Sequence, residues 1–415
     1  MTLFGSFRRL VTGERHIERV SALEETVVKF GRAQREQLAS QDARLAALGK
    51  AVGDRASAMS VRALERRVED VQTSLLQLDR TVADALERAR MQDQLGNEDR
   101  RLARRIESML RGSHPIVVGP WTGEVGFELL YWIPFIRWVV QTYDVAPDRL
   151  FVVSRGGVSG WYAGLAASYA DVFSYFSPEE FRAATEASKK QRREHAFDAL
   201  VIERVIAAHR LGRPSLLHPG MMYRLLMPFW KEAAPVSRVD RYAVHGRIAV
   251  EDDPVLQQLP RTYAAARFYF SDCFPDTPSN RTLVASVLEA LGHDQPVVLL
   301  NTPFALDDHR DAATAGGRVI ALDAQYMSPE RNLAVQTAVI SRARVFAGTY
   351  GGYSYLAPFC GVPALAFYSR RSFQTAHLDV AQRVFERLGE ARLVALDTND
   401  LSLLRGALVE SARTR

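Results

Sequence analysis

Val345-Phe346-Ala347-Gly348-Thr349-Tyr350-Gly351-Gly352-Tyr353-Ser354-Tyr355-Leu356 joins an apolar run to a glycine-rich turn and then to a segment of helical character. The first residues read as the end of a strand running from Ala343 to Ala347. Gly348 to Gly352 read as a tight turn, and Tyr353 to Phe359 as a helix stopped by Gly361-Val362-Pro363. Such a turn presents backbone N–H groups at a helix N-terminus, where the helix dipole also favours negative charge, so a diphosphate fits there without a dedicated lysine. On this reading Gly348, Thr349, Tyr350, Gly351, Gly352 and Ser354 form a phosphate site, with the Thr349 and Ser354 hydroxyls donating to phosphate oxygens. A glycine-rich turn can equally serve strand–helix packing alone.

Working outward, the same alternation recurs on both sides. Strands are expected at Tyr263 to Phe270, Pro296 to Leu300 and Val319 to Leu322, with helices at Asn280 to Leu291 and Pro329 to Arg342. Nearer the start, Ile116-Val117-Val118-Gly119 and Leu150 to Val153 read as strands flanking a helix from Gly126 to Gln141, kinked at Pro134. Strands separated by helices imply parallel pairing. The segment from Ser177 to Arg261 is rich in helix, and its run Ala199-Leu200-Val201-Ile202 is too short for periodicity to separate strand from buried helix. Two such series joined by a helical region predict an α/β fold of two Rossmann-like domains facing a cleft, 113–260 and 261–415.

Residues 1–112 are different. Between residues 14 and 111 there is no proline, and Leu64, Val68, Val71, Leu75, Leu78 and Val82 alternate at spacings of four and three, a coiled-coil seam. A second seam, Leu38, Leu45, Leu48 and Val52, is interrupted by Gly49 and Gly53. A helix with so narrow an apolar stripe is marginal alone in water, which points to a homo-oligomer through this arm or to a hairpin folded on itself.

Composition bounds the rest. The chain has 415 residues, 47% hydrophobic and 24% charged, as in globular proteins with two or three domains. Residues 1–112 carry 21 Lys and Arg against 17 Asp and Glu, so +4 of the total +5 lies there. That arm is either a solvated helix surface or a contact with an anionic membrane face. Its charges alternate in sign and form no basic stripe with interleaved aromatics, which argues against nucleic acid. Cys273 and Cys360 suggest neither a disulfide framework nor a metal site. With no spanning run and no signal-peptide core, the expected location is cytoplasmic, with peripheral contact at the inner face of the membrane as a further expectation. Gly-x-Ser-x-Gly, Walker A and zinc spacings are absent, against hydrolase and P-loop ATPase readings.

The run Asn332 to Arg344, the Gly-Thr-Tyr-Gly-Gly turn, then Tyr355-Leu356-Ala357-Pro358 and Gly361-Val362-Pro363 resemble the donor half of GT-B glycosyltransferases. The resemblance spans roughly residues 115–400 in layout, and is specific in 330–370. It is one of class, with heptosyltransferase-like and fucosyltransferase-like layouts both compatible. It implies that residues 348–354 bind a nucleotide-sugar donor, and that a strand follows Gly-Val-Pro. A second glycine-rich turn, Gly119-Pro120-Trp121-Thr122-Gly123-Glu124-Val125-Gly126, opens the first domain, where some such enzymes carry an acidic general base. Glu124 is the candidate, since deprotonating an acceptor hydroxyl requires a carboxylate or histidine within reach. Glu128 is the reserve, and both have helix-capping or solvated alternatives.

Arg267 lies inside an apolar strand, where a guanidinium needs an anionic partner. The resemblance makes that partner the departing diphosphate, whereas an internal salt bridge is the rival. In Leu306-Asp307-Asp308-His309-Arg310-Asp311, Asp308 is a candidate donor contact, with a solvated loop or a divalent-metal cluster as alternatives. Arg155 and His218 are candidates for the acceptor, each also open to a structural role. The expected function is an inverting, metal-independent glycosyltransferase. It would use no cofactor, with the nucleotide sugar as substrate and a glycan or lipid-linked acceptor. A nucleotide-sugar epimerase of the same layout and a non-catalytic coiled-coil scaffold are the rivals.

Overall fold

The computed structural model describes residues 29, 32–47, 49, 58–185, 191–304, 309–312, 318–373, 375–389 and 392–401. The chain divides into two compact units, 1–104 and 105–415. A helix that begins at Ala58 continues unbroken through the heptad region, past the end of the first unit, to Leu110. Leu64, Val68, Val71 and Leu78 are exposed along it, while Leu75 and Val82 of the same seam are half-buried. Leu48, Val52 and Gly53 lie outside the described residues, and Gly49 lies within helix.

The second unit contains two parallel sheets. The first comprises β1 (Ile116–Val118), β2 (Leu150–Ser154), β3 (Ser168–Asp171) and β4 (Ser215–Leu217), in the order β3-β2-β1-β4. β1 and β2 are buried along their whole length, which is why their sequences are continuous apolar runs rather than alternating ones. β3 and β4 escape sequence reading because Ser168, Tyr169, Asp171 and Ser215 dilute their apolar character. Ala199 to Ile202 is helix, within Ala196–His209, which packs Val201 and Val205 against the sheet beside Phe151 and Phe173.

The second sheet contains β5 (Ala264–Arg267), β7 (Val297–Leu299), β9 (Val319–Ala321), β10 (Phe346–Thr349), β11 (Ala364–Tyr368) and β12 (Leu393–Asp397), in the order β12-β11-β10-β5-β7-β9. A separate antiparallel pair joins β6 (Tyr269–Phe270) to β8 (Arg310–Asp311). The expected strand Tyr263 to Phe270 is therefore two. Thr349 Oγ1 accepts from Tyr269 N and donates to Tyr269 O, so the chain after Arg267 is tied to a hydroxyl instead of a ladder partner and turns away. β10 starts and ends later than expected: Gly348 and Thr349 belong to the strand. Position 348 suits glycine because a Cβ there would run into the Arg267 carbonyl of the neighbouring strand.

The helix after the first glycine turn is irregular in a different place from that expected. Val125–Phe127 passes into a π-helical stretch, Glu128–Trp132, before Ile133–Tyr143 continues as α-helix. Pro134 has no N–H to offer the preceding turn. The distortion is absorbed ahead of the proline, and the Leu130 carbonyl instead accepts from His245 Nε2 at 2.9 Å. Burial lowers the His245 pKa to about 4, keeping the ring neutral.

Both chains of strands start in the middle of their sheets. From β1 the chain adds β2 and β3 on one side and returns to add β4 on the other; from β5 it adds β7 and β9, then β10 to β12 on the opposite side. The carboxyl ends of β1 and β5 thus stand at topological switch points, where loops diverge to opposite faces and leave a crevice. No helix among the described residues is long and apolar enough to cross a membrane.

Candidate active site

A cleft of about 550 Å³ lies at these strand ends. It is lined from the first sheet's side by Thr122, Gly123, Glu124, Val125, Gly126, Phe127, Tyr131 and Arg155, and from the second by Arg267, Tyr269, Tyr350, Gly351, Gly352 and Tyr353. Its floor is glycine against glycine: a Cβ on Gly352 would come within 2.9 Å of Gly126 N, and one on Gly126 within 3.3 Å of Gly352 Cα. The two glycine turns therefore meet backbone to backbone, and the helices beginning at Val125 and Gly352 both start at the cleft. First-turn N–H groups have no partner within their own helix.

Glu124 lines the cleft and is exposed. Its turn is held rigidly: Thr122 N donates to Gln191 Oε1 at 3.0 Å, Gln191 Nε2 donates to Pro120 O and Asp198 Oδ1, and Arg155 Nη2 donates to the Gly123 carbonyl at 2.5 Å. Glu128 is fully buried behind it. Its Oε1 accepts from Ser154 Oγ at 2.5 Å and from Tyr162 Oη at 2.6 Å, while Oε2 has no partner among the described residues. Burial pushes its carboxyl up from 4.5 to about 7, against the pull of the nearby Arg155.

That shift sets a sign. The unfolded chain loses the Glu128 proton near 4.5 and the folded one near 7, so stability from this group is complete below 4.5 and declines as pH rises to about 7. Glu128→Gln keeps the shape and removes the buried charge. Urea unfolding is expected to find the variant more stable than wild type at pH 8 by about 3 kcal/mol, the gap closing towards pH 4.5. A gap independent of pH would contradict a buried, titrating Glu128.

Arg267, at the end of β5, is buried in the opposite wall. Nη1 donates to Gln336 Oε1 at 2.7 Å, Nε lies 3.4 Å from Asp311 Oδ1, and the guanidinium sits 4.3 Å from the Tyr353 ring centroid. The salt-bridge alternative for this arginine is therefore present, on the cleft surface. Ring stacking against a cation is worth about 0.5–2 kcal/mol, and these contacts fix the guanidinium plane.

The remaining sequence candidates divide. Tyr350, Gly351 and Gly352 reach the cleft, whereas Gly348, Thr349 and Ser354 do not line it. The Thr349 hydroxyl is spent on Tyr269, and Ser354 Oγ donates to Gly351 O and accepts from Gly351 N, capping its own helix. Both are wholly buried, so their hydroxyls shape the turn rather than face a ligand. His218 caps the helix Pro219–Trp230: Nδ1 accepts from Gly220 N, so Nε2 carries the hydrogen towards Asp198 Oδ2 at 3.2 Å. It lies outside the cleft lining. Asp308 lies outside the described residues, His309 stacks on Tyr269 with centroids 4.2 Å apart, and Asp311 accepts from Thr302 N.

Sequence reasoning missed a pair that crosses the cleft. Tyr131 Oη stands 2.6 Å from His377 Nδ1, inside a cluster with Phe127, Tyr223 and Trp230. Burial drives the Tyr131 pKa far above its ordinary value, so the hydroxyl keeps its proton. Glu124, Phe127 and Tyr131 are spaced three and four apart, one helical face, a signal available in the sequence. Nothing local links Tyr131 to a histidine 246 positions away.

No protein-family model matches the sequence, and no curated protein does. Solved structures to which the chain is similar include the glycosyl transferase family 9 protein of Veillonella parvula, at 13% identity over 72% of this chain and 90% of that one, with a TM-score of 0.42. They include ADP-heptose lps heptosyltransferase II of E. coli, at 12% identity over 69% and 91%, TM-score 0.41. They also include the UDP-GlcNAc 2-epimerase of Methanocaldococcus jannaschii, solved with UDP-GlcNAc and UDP, at 10% identity over 71% and 92%, TM-score 0.32.

Proposed function

We propose that this protein is a glycosyltransferase that moves a sugar from a nucleotide-sugar donor to a hydroxyl of a glycan or lipid-linked acceptor, with inversion and without a metal. The observation that carries the reading is one cavity lined by both glycine turns, with Glu124 on one wall and Arg267 on the other. Residues 261–415 hold the donor, its diphosphate against the amide at Gly352 and near Arg267; residues 113–260 receive the acceptor. Glu124 takes the proton from the acceptor hydroxyl as its oxygen bonds to the anomeric carbon. The bond from that carbon to the diphosphate oxygen breaks, and the nucleoside diphosphate leaves with the electron pair. Arg267 and the helix N-terminus offset the negative charge that develops there.

The arm, residues 1–112, joins copies of the chain through its heptad seam, and its positive charge favours an anionic membrane face in the cytoplasm. A thermal-shift screen with ADP, GDP and UDP tests the donor site. At least one should raise the melting temperature, and Arg267→Ala should weaken that ligand by about tenfold or more, the loss of a charge-assisted hydrogen bond. Stabilisation by none of the three would sink the reading. Donor turnover that proceeds without any acceptor would favour an epimerase.

A further inference from the structure

The cleft holds a second buried arginine, and its surroundings differ from those of Arg267. Arg155 follows β2 and is 9% exposed on the wall built by residues 116–217. Of its five N–H donors, one bonds to the Gly123 carbonyl, and Nε has no partner among the described residues. No carboxylate among those residues comes within ion-pair distance, in contrast to Asp311 beside Arg267. Glu128, which acts on it electrostatically, has its Oε1 occupied by two hydroxyls, and burial raises its pKa towards the neutral form. A guanidinium so enclosed and so incompletely neutralised is costly unless an anion completes its shell.

The neighbourhood supplies a second cation. Arg182 lines the same cleft, is exposed, and has no ion pair among the described residues. Phe181, one residue earlier, lies under the Arg155 guanidinium with its ring centroid 5.7 Å away, and Thr122 adds a hydroxyl to the lining. A planar fork beside an exposed second cation matches the geometry of a carboxylate, phosphate or sulfate group.

We propose that Arg155 and Arg182 form an anion-binding subsite for a negatively charged group on the acceptor, separate from the donor diphosphate site at Arg267. The assignment to the acceptor rests on the transferase reading; the existence of the subsite does not. An acceptor for this cleft carries a carboxylate or a phosphate close to the hydroxyl that receives the sugar.

Sulfate is the probe, since its charge is constant across neutral pH. Titrated into the full chain against chloride of equal ionic strength, it should give a saturable rise in melting temperature. Arg182→Ala, a surface change that leaves the fold intact, should weaken the apparent affinity about tenfold, as for one charge-assisted contact. Arg155→Gln should abolish the effect, whereas Arg267→Ala should retain it. The sulfate response should also persist in the presence of a saturating nucleoside diphosphate. No saturable response in wild type, or one that both Arg155→Gln and Arg182→Ala retain, overturns the subsite. Displacement of sulfate by the nucleoside diphosphate overturns its assignment to the acceptor, because the anion would then be the donor's. Sulfate binding without any nucleotide binding would leave the subsite standing and remove the transferase reading.

Discussion

Glu124→Gln is expected to lower acceptor-dependent sugar transfer by about 10²- to 10⁴-fold, the usual contribution of a positioned general base. The amide keeps the size and hydrogen-bonding reach of the side chain but cannot take a proton. Nucleoside diphosphate binding, read by thermal shift, should remain as in wild type, because Glu124 lies on the wall opposite Arg267. The loss should therefore appear in kcat with KM for the donor little changed. Its backbone position is secured independently of its carboxylate: the Glu124 carbonyl accepts from Glu128 N, and its side chain makes no capping bond. The substitution should consequently leave the fold untouched. Transfer at the wild-type rate would remove Glu124 from the chemistry.

Gly348→Ala should produce the largest structural effect of any single methyl group in the second sheet. Gly348 is paired in register with Arg267 in the centre of six strands, and the added Cβ would run into the Arg267 carbonyl oxygen. Phe346 lies close on the same side, so the chain has no room to give. Overpacking of this kind costs about 1–3 kcal/mol in a side-chain core, and a clash with backbone belongs at the upper end. Urea unfolding is the measurement. Because Arg267 would be pushed out of register with Gln336 and Asp311, the same variant should lose its nucleoside diphosphate response even where it remains folded. A midpoint indistinguishable from wild type would show that the two strands can separate without penalty.

The phosphate-site residues fall into two physical classes, and the distinction explains which of them could be read in advance. Glycines at 351 and 352 announce a turn wherever they stand, because a residue without a side chain after an apolar strand marks close backbone approach. What approaches is another matter: the partner of Gly352 is Gly126, and neither sequence neighbourhood mentions the other. Thr349 and Ser354 looked like phosphate donors because hydroxyls beside a glycine turn are free to bond locally or outward. The structure turned both inward, onto Tyr269 and Gly351, since a buried hydroxyl takes whatever backbone group is nearest.

The arginines show the same limit. A guanidinium inside an apolar strand demands an anion, and Arg267 could be singled out on that ground alone. That the anion is Asp311, carried on a two-residue strand of a separate sheet, depends on how β6 leaves β5. Arg155, ranked as an acceptor contact with a structural alternative, combines the two roles: it clamps the Gly123 carbonyl and lines the cleft with charge to spare.

Residue order alone established the α/β class, the parallel pairing, the two glycine turns and the long helix over Ala58–Leu110, because each follows from local periodicity and from where side chains are missing. Only the tertiary structure decided that the Val345 to Leu356 turn shares its cavity with Glu124, that Tyr131 reaches across to His377, and that Gly348 belongs to a strand rather than a turn. Those facts depend on contacts between segments distant in the sequence, and on which of several available partners each buried polar group meets first. No window of sequence contains both sides of such a choice.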